Sequence, residues 1–186
     1  MGIVLGGGIS YGQHAAIPHP SSFLSFATLE VVADVVVSGA AVTSISVTDL
    51  DLDADKFYIL LFAGTNPAAV CQLSLHYNND LVAANYYSQR LTVSGAVVAS
   101  ARVNTALCSY IANGRETVFF AVISRPASGK VHAFFQSSND EQAALDGYTF
   151  WHDWVTEANV TRIDLVSNIA NSIGIGSRLI VMKVSA

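Results

Sequence analysis

Charged residues are scarce in this chain of 186 residues. They make up 12% of the sequence, against about 25% in an average globular domain, whereas hydrophobic residues make up 52%. A chain of this length has room for one well-buried core. Because so few charges cannot cover the surface of a monomer in the usual way, we expect part of that surface to contact other protein.

Basic residues are absent from the N-terminal region, where neither Lys nor Arg occurs before Lys56. The others are scattered singly along a chain of net charge −5. A nucleic-acid-binding face needs clustered cations, and a secretory signal begins with them. Apolar runs such as residues 57–63 and 118–123 are far shorter than the roughly 18 residues of a membrane span. The sequence therefore predicts no nucleic-acid partner, no export signal and no membrane insertion.

Cysteine is nearly absent as well. Cys71 and Cys108 are the only two, and they form no C-x-x-C motif or zinc-type spacing with histidine. We expect two small buried side chains in a reducing compartment, with a disulfide between them as the alternative.

The chain is instead rich in short apolar segments separated by Gly, Asn, Asp, Ser and Pro, a pattern typical of β-strands. It predicts strands at residues 43–48, 57–64, 70–77, 86–93, 105–112, 116–124, 130–137, 159–167 and 177–184. Many short strands without intervening helices favour an all-β fold, an antiparallel two-sheet β-sandwich of jelly-roll-like form. The turn Asn113-Gly114 predicts that the strands on either side of it pair as a hairpin, and the Pro- and Gly-containing loop after 116–124 predicts that this strand also pairs with 130–137. Alternation in residues 70–77 places Cys71, Leu73, Leu75 and Tyr77 on one face of a half-buried strand.

Residues 1–41 differ from the rest and are interpreted as an N-terminal arm with room for one strand, ahead of a sandwich domain at 42–186. The arm is glycine-rich at its start, and its later segment LEVVADVVV carries many apolar side chains. They pack either on a neighbouring subunit or on the domain itself. The apolar residues of the arm that are candidates for an interface are Ile3, Val4, Leu5, Phe23 and Phe26.

Residues 8–12 spell G-x-S-x-G, the pattern of a serine-hydrolase nucleophile turn, with Ser10 at the nucleophile position. That turn requires a preceding strand, a following helix and an alternating α/β fold. Pro18 and Pro20 interrupt the helix, and the rest of the chain is β-rich. The neighbouring glycines lack the spacing and the lysine of a phosphate-binding loop. We therefore expect no enzyme, no catalytic residue and no cofactor.

Metal binding is likewise not expected. The segment DLDLDADKF places aspartates at alternate positions, but glycine and glutamate are missing where an EF-hand loop needs them. A strand edge running into a turn is the preferred interpretation, and a calcium site of another kind is the alternative. The histidines show no zinc spacing. The aspartates of this segment are Asp49, Asp51, Asp53 and Asp55, and the five histidines are His14, His19, His76, His132 and His152.

Aromatic residues crowd the segment GYTFWHDW at 147–154. Strand alternation places Trp154 on one face, with Tyr148, Phe150 and His152, and Trp151 on the other. Packing in the core or between subunits is the preferred role for Trp151 and Trp154 as interface candidates. Stacking of an exposed tryptophan on a sugar ring is the alternative.

Four segments together resemble a recurrent virion domain of tailed bacteriophages: DLDLDADKFYILLFAGTNP, LSLHYNNDLVAANYYSQRL, residues 161–165 and the terminal IGIGSRLIVMKV. The resemblance covers residues 43–185 and excludes the arm. It implies a β-sandwich used in symmetric oligomers, as head decoration (cement) proteins or as tail-associated and fibre proteins, with no catalytic residue. The segment HYNND at 76–80 departs from the Phe-Asn-Gly-Asp expected there.

The expected function is therefore cohesion of a virion that is assembled in the host cytoplasm. In the first hypothesis the chain is a head decoration protein. It forms a dimer or trimer with its own copies, and it binds the major capsid protein. In the alternative it is a glycan-binding host-recognition module on a tail or fibre, with tail proteins as partners.

Overall fold

The computed structural model describes residues 28–126, 129–141 and 144–185, which form twelve strands and one short α-helix. The strands are β1 (Thr28–Val36), β2 (Ser44–Val47), β3 (Phe57–Thr65), β4 (Cys71–Tyr77), β5 (Tyr86–Ser94), β6 (Val97–Val103), β7 (Leu107–Ile111), β8 (Glu116–Ser124), β9 (Val131–Glu141), β10 (Ala144–Trp154), β11 (Ile163–Ser167) and β12 (Arg178–Ser185). Helix α1 spans Leu52–Asp55, and a single 3-10 turn spans Ala83–Asn85. Within the described residues, neither is long and apolar enough to cross a membrane.

The strands form two antiparallel sheets, so the predicted all-β sandwich is confirmed. The larger sheet has eight strands in the order β1-β12-β3-β8-β9-β10-β5-β6, and the smaller has four in the order β2-β11-β4-β7. From β1 to β4 successive strands alternate between the sheets, as they do again at β7-β8 and β11-β12. The two four-stranded sets β1-β12-β3-β8 and β2-β11-β4-β7 have the strand order of a jelly roll.

Two hairpins are added to this jelly roll. Strands β5 and β6 are inserted between β4 and β7, and strands β9 and β10 between β8 and β11. All four join the larger sheet beyond β8, where β10 pairs with both β9 and β5. We call these four strands the sheet extension.

The core lies between the sheets and follows strand alternation. In β4 the predicted inward residues Cys71, Leu73, Leu75 and Tyr77 are all buried, and the residues between them are not. The larger sheet contributes the opposite layer, which includes Tyr58, Leu60, Phe119, Phe135, Phe150 and Leu179. The apolar area removed from water there, worth about 25 cal/mol per Å², is the main stabilising contribution.

The predicted hairpin at Asn113-Gly114 is wrong. The turn forms, with Gly114 at a φ of 67° and the backbone N–H of Arg115 donating to Ala112. However, β7 before it pairs with β4 in the smaller sheet, and β8 after it pairs with β3 and β9 in the larger one. Both edges of β8 are thus occupied. The turn carries the chain across the core because β7 and β8 each have an apolar row that must face it.

The sequence missed two of the four extension strands, β6 and β10, and the strand predicted at 159–167 is limited to Ile163–Ser167. The predicted pairing of residues 116–124 with 130–137 is confirmed as the β8–β9 pair. Strand β1 lies within the predicted arm and pairs with β12 as an edge of the larger sheet. The arm candidates Ile3, Val4, Leu5, Phe23 and Phe26, and Ser10 of the hydrolase pattern, lie outside the described residues.

Because β1 is an integral strand of the larger sheet, a truncation that removes β1 should lower the stability of the domain, and one that keeps β1 should not. A chain that begins at residue 38 loses the eight residue pairs between β1 and β12 and the buried Val37. We expect its Tm to fall by about 10 °C or more relative to a chain that begins at residue 28, since about 1 kcal/mol corresponds to about 2 to 4 °C at this size. Calorimetry of the two truncated chains measures the difference, and equal Tm values would contradict the assignment of β1 to the domain.

Candidate functional site

The outer face of the larger sheet is the candidate functional surface. An antiparallel sheet with one face on the core normally presents polar residues on the other. Here the outward positions of the central strands are apolar. Val118 is 55% exposed, Leu61 41% and Phe120 37%. Such a surface is unusual for a monomer and marks a contact region.

Strand register brings these side chains into continuous rows. One row runs from β1 to β8 through Val31, Met182, Ile59 and Val122. The next row places Ile180, Leu61 and Phe120 side by side on β12, β3 and β8. We call the outward side chains of β1, β12, β3 and β8 the apolar face.

The apolar face is concave at one point. A trough of about 690 Å³ is lined by residues that include Leu61, Val118, Phe120 and Ile180. Its polar border is formed by Gln136 and by Arg178, whose guanidinium is paired with Asp34 at 2.6 Å. Charge therefore lies at the end of the face and not in its centre.

A second, smaller cavity lies on the same side of the sheet but in the extension. Its volume is about 240 Å³, and we call it the Trp151 cavity. The indole of Trp151 is 48% exposed, and its ring centroid lies 6.2 Å from that of Phe134 in an edge-on contact. The residues that line the cavity are Tyr87, Ser88, Gln89, Arg102, Trp151 and Asp153.

Two polar groups of the Trp151 cavity, Arg102 and Asp153, contact other side chains, and a third, Gln89, has no such partner within the described residues. The Arg102 guanidinium lies over the Tyr87 ring at 5.4 Å from the centroid. Asp153 is 2.7 Å from His132 Nδ1. The side chain of Gln89 makes no hydrogen bond within the described residues. The cavity thus combines an aromatic plane with groups that donate and accept hydrogen bonds.

Trp154 lies on the opposite face of β10, as alternation predicted. It is 2% exposed, and its indole N–H donates to Asp80 Oδ2 at 2.8 Å. Burial opposes ionisation of Asp80, but hydrogen bonds from Trp154, from Asn85 and from the Val82 backbone lower the pKa of that carboxyl below its ordinary value. Because Trp154 is buried, its side chain is not accessible to another protein. The side chain of Trp151 is accessible.

His152 is buried between the sheets among aromatic rings. Its ring centroid lies 5.4 to 5.7 Å from those of Tyr77, Tyr86 and Phe135. Neither ring nitrogen has a hydrogen-bond partner within the described residues. Burial first, and then the nearby His76, lowers the pKa of His152 to about 3. The imidazole therefore packs as a neutral aromatic ring.

The aspartates of the segment DLDLDADKF bond to different groups within the chain. Asp51 caps α1 by accepting from the Ala54 N–H at 3.0 Å and also accepts from Asn159. Asp53 pairs with Arg125. Asp55 accepts from the Tyr58 hydroxyl at 2.5 Å. Two of the carboxylates thus hold α1 and the following strand in place, and the segment forms a helical turn where a strand edge had been expected.

The remaining sequence candidates are not brought together. Both cysteines are buried and free, and burial raises the pKa of the Cys108 thiol. Among the described residues there is no group of three or more His, Cys, Asp or Glu side chains that could hold a metal ion.

Comparison of the chain with protein-family models, with curated proteins and with solved structures finds no match in any of the three. Function must therefore be argued from the surface itself.

The apolar face was not predicted from the sequence, although two segments carry a signal for it. Residues 57–63 are apolar at every position, and such a run predicts a strand covered on both faces. The run 118–123 carries the same signal for β8. The strands predicted at 57–64 and 116–124, and the exclusion of a membrane span, did not use this signal.

Acid should destabilise the protein through His152. Unfolded, this histidine has a pKa of about 6.5, so the unfolded chain binds a proton between pH 6.5 and 3 that the folded chain does not. Its contribution to stability is complete above about pH 6.5 and is lost as the pH falls toward 3. We expect His152→Phe to weaken this loss in chemical denaturation at several pH values. The same substitution at the partly exposed His132 is the control, and an unchanged acid limb in His152→Phe would contradict the assignment.

Proposed function

We propose that this chain is a structural protein of a tailed-bacteriophage virion, a head decoration protein that acts by adhesion and catalyses no reaction. The single observation that carries the proposal is the apolar face on the central strands of the larger sheet. It agrees with the resemblance of residues 43–185 to phage virion domains and with the low content of charge.

The proposed occupant of the apolar face is a second copy of this chain. Four strands spaced about 4.8 Å apart, with about seven residues of each paired side by side, give a sheet area on the order of 450 Å². Two such faces in contact bury on the order of 900 Å², or about 20 kcal/mol of gross hydrophobic stabilisation. That exceeds the roughly 4 to 15 kcal/mol that association costs.

A standard interface takes about 800 Å² from each partner, so the apolar face supplies roughly half of it. The uncharged residues 1–27 are proposed to supply further area, against a neighbouring copy or the major capsid protein. Contact with the capsid lattice repeats over many copies, so the binding free energy of each contact can be small.

A tail or fibre protein that recognises a host glycan is the second candidate. The observation that favours it is the Trp151 cavity, whose exposed indole is flanked by polar side chains.

Self-association should depend on Val118, which is 55% exposed on β8 and lines the trough of the apolar face. An unpaired carboxylate buried in an interface is costly, so Val118→Asp should weaken the oligomer by at least about tenfold, or about 1.4 kcal/mol. Light scattering coupled to gel filtration, over a range of protein concentrations, measures this change.

The matched control is Val70→Asp, which introduces the same charge at a valine of similar exposure, 61% against 55%, just before β4. It should keep the wild-type mass. A monomeric wild type, or a Val118→Asp variant of unchanged mass, would count against the proposed interface.

Location on the particle tests the virion assignment. In purified particles of the phage that encodes it, the chain should accompany DNA-filled heads in many copies, as measured by quantitative mass spectrometry of separated heads and tails. A chain that begins at residue 28 keeps β1 and should lose head binding. Recovery with tails would favour the second candidate, and absence from both fractions would reject the virion role.

A further inference from the structure

We propose that the Trp151 cavity binds one pyranose ring of a glycan. The proposal is independent of the decoration role, because the cavity is formed by the extension and the apolar face by the jelly-roll strands.

The indole of Trp151 provides the platform. A sugar ring presents a face of polarised C–H groups, which is attracted to the electron-rich face of an indole. Trp151 lies within β10, paired on both sides by β9 and β5, and its indole is buttressed by the edge-on contact with Phe134. It is therefore fixed in position and also open to solvent, with 48% of its surface exposed.

Polar groups lie where the hydroxyls of a stacked ring would reach. Gln89 is directly opposite Trp151 in the β10–β5 pair, and Arg102 is directly opposite Gln89 in the β5–β6 pair. Asp153 lies two residues along β10, on the same face, with His132 beside it. Gln89 both donates and accepts, Arg102 donates and Asp153 accepts, which matches the mixed demands of sugar hydroxyls.

Cavity size limits the ligand to about one ring. Sites for drug-sized molecules measure about 300 to 1,000 Å³, and this one measures about 240 Å³. A folded protein partner would contact a broader surface, and a purely apolar ligand would leave the amide of Gln89 without a partner in a desolvated site.

The position of the cavity in the fold gives a separate argument. The eight jelly-roll strands already form two sheets around a core, and the cavity is built from the hairpins inserted into them. Tyr87 and Gln89 come from β5, Arg102 from β6, and Trp151 and Asp153 from β10. Side chains from three added strands thus converge on one place.

The test is titration of the full chain with methyl pyranosides of glucose, galactose, mannose, N-acetylglucosamine and glucuronic acid, followed by saturation-transfer NMR and calorimetry. Sorbitol, which has hydroxyls but no ring, is the matched ligand control. At least one pyranoside should bind with a Kd of about 0.1 to 10 mM, and sorbitol should not.

Variants then locate the binding. Trp151→Ala should weaken it by about tenfold or more, and Gln89→Ala by about threefold, with Tm unchanged because both side chains are exposed. Val118→Ala, on the apolar face, is the matched control and should bind as the wild type does.

Three results would overturn the proposal: no pyranoside bound at about 50 mM, equal affinity in Trp151→Ala, or sorbitol bound as well as the sugars. A Trp151→Ala variant that loses self-association while keeping sugar affinity would also reject the site and assign Trp151 to the interface. Because Val118→Asp should keep sugar affinity, loss of the decoration role and loss of this site are separate outcomes.

Discussion

The apolar outer face of strands β3 and β8 limits how this protein can contact other molecules, and the proposed function depends on it. Both strands are central in the larger sheet, and both carry apolar side chains outward as well as inward. The smaller sheet covers only the inner side. An apolar, fully paired β surface cannot recruit another strand by backbone hydrogen bonds, because only edge strands have free donors and acceptors. Its contacts must therefore be made through side chains, face against face.

This side of the larger sheet has two chemically different halves. The jelly-roll strands carry the apolar face, with charge confined to positions such as Arg178 and Asp34 at its end. The extension carries the Trp151 cavity, with polar groups around one aromatic plane. Adhesion through burial and recognition of a small polar ligand require different chemistry, and the two proposals assign them to different strands of one sheet.

Local pattern was enough to predict much of the fold. Alternation in residues 70–77 predicted the inward face of β4, and the same rule separated buried Trp154 from exposed Trp151. It failed where the outcome depends on distant partners. The Asn113-Gly114 pair specifies a turn but not which sheet receives the next strand, and that was decided by β3 and β9 occupying both edges of β8. Strand β6 was missed because five of its seven residues are exposed, on both faces, and three of the seven are Ala or Ser.

The candidate site was less predictable than the fold. Gln89, Trp151 and Arg102 are far apart in the chain and become neighbours only through the register of β10, β5 and β6. The rows of the apolar face depend in the same way on the register of β12, β3 and β8. Register is set by non-local pairing, so a single segment such as 57–63 can indicate a strand covered on both faces but not which side chains become its neighbours.

Hydroxyl-radical footprinting of the assembled protein tests the central claim most directly, because it reports the solvent access of individual side chains. If the apolar face is an interface between copies, Leu61, Val118 and Phe120 should be protected at high protein concentration and become labelled on dilution, while Val70 and Leu81 are labelled at both. Labelling of Val118 and Phe120 that does not change with concentration, in proportion to their exposure in the single chain, would contradict it.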